Sequence, residues 1–410
     1  MQMKDRKHYV AVQINTVYPY GSTGKIAKGI HDACQNAGIE CITAYRYHED
    51  KNRIPDDAIT VSSWWDCHVH NRLARYTLLQ GCFSQSRTAL FLKKISAFKP
   101  DIIHLHNLHG SFINLPMLFS YIKKNNIPVV WTLHDCWSFT GQCPYFDITK
   151  CDKWKTGCHH CPQIGGYPKS IVDNTRLMYR LKKKWFTGIK NLTLVTPSEW
   201  LAGLVKESYL KEYSVQVINN GIDFSLFRPV ESDFRQKHQI GDKKIILGVA
   251  FGWGERKGMD VFCKLAETLG EQYQIVLVGT DAAVDQKLPG NIISIHRTND
   301  QQELAQIYSA ADVFANPTRE DNFPTVNIEA LACGTPVITF RTGGSPEIID
   351  GTCGSVVECD DVEAFEQEII RVCNDKPYSQ EACIKRAYQF DQKDKFKEYV
   401  KLYEDMVCLD

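Results

Sequence analysis

The chain has 410 residues, 43% of them hydrophobic and 23% charged, with 48 Lys+Arg against 48 Asp+Glu. That length exceeds one ordinary core and predicts two domains of about 200 residues each, while dispersed basic residues without a recognition motif argue against a nucleic-acid binder. No apolar run reaches the ~18–20 residues that span a bilayer, and the first residues lack the apolar core of a signal peptide, so a cytoplasmic protein is expected.

The charge divides unevenly: residues 1–225 carry 28 Lys+Arg and 17 Asp+Glu, and the remainder carry 20 and 31. This reads either as attraction between halves or as a basic half that meets an anionic acceptor or the inner leaflet of a membrane. Sixteen cysteines in such a chain point to reduced thiols or a metal site rather than a disulfide framework.

Residues 9–14 read as a strand, followed by a glycine loop, Gly21-Ser22-Thr23-Gly24, and a helix over 25–37. This is the opening βα unit of a doubly wound sheet. Apolar runs of strand length follow at 101–105, 128–133, 192–196 and 215–218, with a helix predicted over 86–98. The pattern restarts at 244–250, with a helix over 257–269 and strands at 274–278, 292–295, 313–315 and 336–339. A hinge is expected near 224–232, giving an N-terminal domain over 1–224 and a C-terminal domain over 225–390. The amphipathic helix near 393–407, within a tail of 391–410, is expected to pack back on the first domain.

Residues 134–170 break the rhythm, being rich in Cys, Gly, Pro, Trp and Tyr without helical or strand period. So long an irregular stretch is usually functional or stapled by a metal. Cys143, Cys151, Cys158 and Cys161 read either as four reduced thiols or as the ligands of a structural zinc. Basic and aromatic residues mix over 71–98 and 178–188, where Lys182–Lys184 read as a solvated face or as a contact with an anionic membrane.

In the second half, Asn316 ends a strand, a polar loop follows and a helix starts near Pro324. Free N–H groups at such a start favour an anion, and Glu329 can accept a pair of hydroxyls such as a ribose diol. Here the chain resembles a family. Asp321, Asn322, Phe323 and Pro324, then Thr325, then Glu329 and the run 330–338, are similar to the acidic-x7-acidic signature of family 4 of the retaining glycosyltransferases, which have the GT-B fold. The resemblance covers nearly the whole chain. It takes in the Gly21–Gly24 loop, His134 as the active-site histidine, the Asn219-Asn220-Gly221-Ile222-Asp223 turn, Lys257-Gly258 at the donor diphosphate, and Gly343-Gly344 with Glu347. Two positions depart from the pattern. Asp321 stands where the family has Glu, with Glu320 one residue earlier, which leaves the choice of carboxylate open. Gly252 stands where the family has Arg, with Arg256 offering a replacement charge.

The resemblance implies an α/β protein of GT-B fold, two Rossmann-like domains facing a central cleft. It implies a hexosyltransferase that moves a sugar, with retention, from a UDP- or GDP-sugar to a glycan or lipid-linked acceptor in bacterial surface polysaccharide synthesis. Lys257 and Arg256 would stabilise the leaving diphosphate, and no cofactor is expected for catalysis. The alternatives are a same-fold epimerase or hydrolase of sugar nucleotides, and a non-catalytic nucleotide-binding partner in a glycan-assembly complex.

Overall fold

The computed structural model describes residues 9–47, 55 and 58–408. The chain divides into two compact α/β units, one running through Ile218 and resuming at Lys395, the other spanning Asn219–Asp394.

In the first unit the strands are β1 (Val10–Asn15), β2 (Glu40–Tyr45), β3 (Ala58–Thr60), β4 (Ile102–Leu105), β5 (Val129–Thr132), β6 (Leu192–Thr196) and β7 (Ser214–Val217). The helices are α1 (Gly21–Asn36), α2 (Trp64–Thr77), α3 (Gln85–Phe98), α4 (Leu115–Asn125), α5 (Thr175–Phe186) and α6 (Glu199–Glu207). The second unit has strands β8 (Lys244–Val249), β9 (Tyr273–Val278), β10 (Ile292–Ile295), β11 (Val313–Asn316), β12 (Val337–Phe340) and β13 (Gly354–Val357). Its helices are α7 (Phe234–Lys237), α8 (Met259–Thr268), α9 (Ala282–Asp285), α10 (Gln301–Ala310), α11 (Thr325–Ala332), α12 (Ser345–Ile348), α13 (Val362–Asp375) and α14 (Gln380–Ala387). The last helix, α15 (Gln392–Val407), crosses back into the first unit.

The sheets run in the orders β3-β2-β1-β4-β5-β6-β7 and β10-β9-β8-β11-β12-β13, with every strand pair parallel. Each order reverses once, between β1 and β4 and between β8 and β11. Ligands of open parallel sheets bind beyond the carboxyl ends of strands at such a reversal. Helices on both faces leave the central strands no contact with water, which is why β4, β5, β11 and β12 are buried at every residue and are mostly apolar. Ser63, Asn114, Ser198, Asp300, Asp361 and Ser379 each accept a backbone N–H from the first turn of the helix they precede, and so fix where those helices start. No helix among the described residues is long and apolar enough to cross a membrane.

Several expectations need correction. Residues Gly21–Gly24 are the first turn of α1 rather than a loop before it. α8 begins at Met259, after a single 3₁₀ turn over Glu255–Lys257. Three strands went unread. β2 carries the polar Thr43 inward, where its hydroxyl lies 3.2 Å from His31 Nδ1; β3 has only three residues; and the edge strand β13 opens on a glycine. Lys182 does not lie on a solvated face but is fully buried.

α15 packs Phe396, Tyr399, Val400, Leu402 and Tyr403 against Ala11, Ile26, Ile30, Val130 and Val195 of the first unit. The segment that leads into it is pinned by the Asn219–Asp223 turn: Ile222 N–H donates to Phe390 O at 3.0 Å, and Gln392 N–H donates to Ile222 O at 3.0 Å. A Cβ on Gly221 would lie 2.4 Å from Gln392 Cα, so this turn has a packing reason for its glycine. Gly29, inside α1, marks another close approach, since a Cβ there would lie 2.0 Å from the Phe396 ring. Replacing a helical glycine by alanine ordinarily gains about 1 kcal/mol. Here Gly29→Ala is expected instead to lower stability by about 1–3 kcal/mol through overpacking. Pairing it with Phe396→Leu should recover most of the loss, as thermal melts of the two single variants and the double variant would show.

Candidate active site

In the first unit, the reversal between β1 and β4 is closed by side chains of the two strand ends. Asn15 Oδ1 accepts from Thr16 N–H at 2.8 Å and from Asn107 N–H at 3.3 Å, while its Nδ2 donates to Thr23 O at 3.1 Å in the first turn of α1. Thr16 Oγ1 donates to Asn107 O at 2.8 Å. The ends of β1, α1 and β4 are thereby fixed to one another.

Residues two apart on a strand share a face, so β4 and its extension present His104 and His106 together, with ring centroids 4.0 Å apart. β5 and its extension bring up Thr132 and His134. His104 Nε2 lies 2.8 Å from Thr132 Oγ1, and its Nδ1 meets Tyr403 Oη of α15 at 2.5 Å. His106 Nδ1 lies 3.1 Å from His134 Nε2, and His106 Nε2 lies 3.0 Å from Gln13 Oε1 of β1. Burial holds His104 and His106 well below the usual histidine range, with the neighbouring imidazoles adding to the effect. Burial also lowers His134 to about 4, against the opposing pull of Asp135.

Asp135 Oδ2 meets His109 Nε2 at 2.9 Å, and its Oδ1 accepts from Trp137 N–H at 2.9 Å. Burial pushes the Asp135 carboxyl up, but His109 and the Trp137 N–H outweigh it and leave it below the usual carboxylate range. His109 Nδ1 lies 3.1 Å from the hydroxyl of Tyr167. A small cavity is lined here by His106, His109, Trp131, His134, Asp135 and Trp137. It offers imidazoles that donate or accept one hydrogen bond, and a carboxylate held ionised: chemistry suited to hydroxyl groups.

The irregular segment behind this cavity is held by Lys182 of α5. Its ammonium donates to Trp137 O and, at 2.8 Å, to Thr140 O, and sits 3.6 Å from the centroid of the Trp137 ring. Burial draws this amine down to about 7, while Cys158, Cys143 and Asp135 act in the opposite direction. Tyr209 Oη donates to Ser138 O at 2.5 Å, and Trp154 packs between Phe139 and Phe146. The zinc expectation is corrected: among the described residues no group of three or more His, Cys, Asp or Glu side chains is arranged to hold a metal ion. Burial pushes the Cys143 thiol up to about 12 and the Cys158 thiol up to about 11; Cys158 Sγ accepts from Gly141 N–H, and Cys151 and Cys161 are half-buried. The staple is an ammonium on backbone carbonyls.

In the second unit, the loops after β8 and β11 meet. Lys257 Nζ pairs with Asp321 Oδ2 at 2.6 Å, and both side chains keep some exposure to solvent. Arg256 donates to Glu320 O at 3.1 Å, and Arg256 O accepts from Arg319 N–H at 2.9 Å and from Thr318 Oγ1 at 3.2 Å. Arg319 forks onto Asp260 with bonds of 2.8 and 2.7 Å and reaches Asp360 at 2.6 Å. A Cβ on Gly258 would lie 2.4 Å from Pro317 O, and one on Gly343 would lie 1.7 Å from Asp321 O; both glycines have positive φ, so no other residue fits. Gly252 also has φ +75°, a conformation poorly suited to the arginine the family carries there, and Phe251 beside it is 95% exposed.

The structure therefore brings Arg256, Lys257, Glu320 and Asp321 together. Glu320 is buried and Asp321 is not, so the carboxylate beside Lys257 is Asp321. Asn322 and Phe323 are buried, the latter packing edge-on to Phe390; Pro324 caps α11, and Thr325 opens it. Glu329 lies one turn further, accepting from Tyr308 Oη at 3.2 Å. Sequence reasoning missed Gln13, His106, His109 and Arg319. Three histidines within residues 104–109 at a strand end were the available signal for two of them; nothing marked Gln13.

Residues 68–226 match the family described as Glycosyltransferase Family 4, and residues 243–375 match the one described as Glycosyl transferases group 1. The chain is 26% identical over 325 residues to WcaC of Escherichia coli (strain K12), a protein assigned by name to colanic acid biosynthesis as a glycosyl transferase; the match covers 75% of this chain and 77% of that one. It is 24% identical over 334 residues to an uncharacterized 41.2 kDa protein in the cps region of Klebsiella pneumoniae, covering 78% and 84%. Among solved structures, sucrose-phosphate synthase from Thermosynechococcus elongatus superposes with a TM-score of 0.72 at 19% identity, over 98% of this chain and 100% of that one. Anabaena HepE in complex with UDP-glucose gives 0.67 at 14%, over 97% and 100%.

The three neighbouring imidazoles set a pH dependence. The unfolded chain binds protons on His104, His106 and His134 as the pH falls below about 6.5, and the folded chain does not until much lower pH, so stability falls on acidification. For His134, lowered to about 4, the cost at pH 5.5 relative to neutral pH is on the order of 1 kcal/mol, and His104 and His106 act in the same direction. Tm should drop between pH 7.5 and 5.5, less steeply in His134→Asn; equal slopes for the two proteins would contradict the assignment.

Proposed function

The chain is a glycosyltransferase, a family 4 domain followed by a group 1 domain, and from that premise we propose that it transfers a sugar from a nucleotide-diphospho-sugar to a glycan acceptor, with retention at the anomeric carbon. The observation that carries this reading is the Lys257–Asp321 pair beside Arg256, at the strand ends where the second sheet reverses. As the anomeric carbon–oxygen bond to the diphosphate breaks, negative charge grows on the leaving oxygens, and Lys257 supplies the charge that stabilises it. Asp321 holds the ammonium in place until a diphosphate takes over as its partner. The acceptor hydroxyl forms the new carbon–oxygen bond and passes its proton to the departing phosphate. Glu329 receives the ribose hydroxyls, and the N–H groups of the first turn of α1, at Gly21, Ser22, Thr23 and Gly24, are donors suited to phosphate oxygens. His134 meets a hydroxyl of the donor sugar or the acceptor.

The relatives in colanic acid biosynthesis and in a cps region favour an acceptor in surface polysaccharide assembly, and the neighbour that holds UDP-glucose favours a UDP-sugar donor. The protein would act in the cytoplasm, against the anionic inner face of the membrane. α2 supports that contact: Trp65, Val69, Leu73 and Tyr76 form one exposed apolar stripe, flanked by exposed Arg72 and Arg75.

A thermal-shift panel of UDP-, GDP- and ADP-sugars identifies the donor, since a ligand at 100 times its Kd stabilises by about 2.7 kcal/mol. With that donor, Lys257→Ala is expected to slow nucleotide release by about a hundredfold or more, the scale of losing one donor to developing charge. Asp321→Asn should reduce turnover more than Glu320→Gln. A fully active Lys257→Ala protein would sink the donor assignment, and isomerised sugar without acceptor would favour an epimerase. Vesicle sedimentation tests the membrane contact: binding to anionic vesicles should fall in a Trp65→Ser/Leu73→Ser variant, and equal binding by both proteins would reject the stripe.

A further inference from the structure

Gln13 projects from the middle of β1 and is fully buried, a place where a parallel strand normally carries an apolar residue. Its amide nitrogen donates to Ala27 O at 3.1 Å and approaches Cys41 Sγ at 3.4 Å. A backbone carbonyl only accepts, so the nitrogen must face Ala27, and Oε1 is the atom turned to His106. Oε1 likewise only accepts. The proton of His106 therefore resides on Nε2, 3.0 Å away. His106 is buried against the rings of His104 and His134, surroundings that disfavour a second proton. Its Nδ1 then carries a lone pair, and the only role left for His134 Nε2, 3.1 Å from it, is donor.

From this chain of obligatory donors and acceptors we infer that Gln13 and His106 are positioning residues that lock His134 as its Nε2–H tautomer, with the lone pair on Nδ1. The hydrogen bonds run in one direction: His134 Nε2–H to His106, His106 Nε2–H to Gln13, Gln13 N–H to Ala27 O. Any group that meets Nδ1 must therefore donate. A group that only accepts, such as a bare oxyanion or a phosphate oxygen, is refused there, whereas a sugar hydroxyl can donate. This consequence rests on the reading of His134 as a substrate contact, whereas the tautomer itself does not.

Nitrogen-15 spectra of histidine-labelled protein, with His134 assigned by its loss in His134→Asn, test the inference directly. The expected result is one protonated Nε2 and one unprotonated Nδ1 on His134. In Gln13→Met, close in volume but without an acceptor, the His134 signals should move to a mixture of tautomers, and nucleotide release from UDP-glucose or GDP-mannose should slow by about tenfold, the scale of losing a partner that orients a functional imidazole. A proton on His134 Nδ1 in the unaltered protein overturns the inference, as do unchanged His134 signals in a folded Gln13→Met protein. If that variant does not fold, the spectrum of the unaltered protein decides alone. Failure of the substrate reading shows differently: His134→Asn would release nucleotide from both sugars at the normal rate while the Nε2–H tautomer stood.

Discussion

The first unit depends on a cation with no carboxylate bonded to it. Lys182 brings its ammonium into the interior and places it on two backbone carbonyls and the face of Trp137. An ammonium taken out of water is costly unless its hydrogens are all engaged, and here the acceptors belong to a stretch with no ladder of its own. This side chain from a regular helix joins Tyr209 and Trp154 in holding a segment without regular structure, and that segment carries Asp135, Trp137 and the strand-end His134. An aliphatic residue at 182 would fill the space but remove the ammonium donor from Thr140 O and leave Trp137 O only the longer bonds from Thr140, at 3.4 and 3.5 Å, and the loss would be felt at the cavity rather than in the sheet.

The second unit solves a different problem. Its functional loops must approach each other closely and still leave charges accessible. Gly258 and Gly343 allow backbone contact that any side chain would prevent, and Arg319 ties the loop after β11 to Asp260 and Asp360. Within that frame Lys257 and Asp321 need only meet each other. Neither is sealed from solvent, so the pair can open to the diphosphate of the proposed donor without disturbing the core.

The restart of the βα pattern near residue 244 was legible because parallel strands covered on both faces are continuous apolar runs, and β8 and β9 lie where those runs fall. β3 and β13 were not legible, since a three-residue edge strand and a glycine-led one bury too little to leave a period. At the site, Lys257 and Asp321 were visible as types and are 64 residues apart in sequence, yet their pairing depends on a reversal of strand order that no local pattern records. Within the run of lysines at 182–184, Lys183 and Lys184 are exposed and only Lys182 misled, for a related reason: a solvated lysine and a buried staple have the same composition, and only the carbonyls of a distant segment tell them apart. Gln13 was hidden by its strand, which is apolar on either side of it.

The return of α15 to the first sheet has a bearing on synthesis. Tyr403 completes the hydrogen bonding of His104, and Phe396 fills the hollow over Gly29, but both are translated after the whole of Asn219–Asp394. On the ribosome the second unit can close as soon as its own residues emerge, while the first must wait with an uncovered face on β1, β4 and α1. The order of completion is therefore the reverse of the order of translation, and for that interval the exposed surface is the one beneath the histidine stack. A chaperone that shields this half until the last helix arrives would protect the part of the molecule on which the proposed chemistry depends.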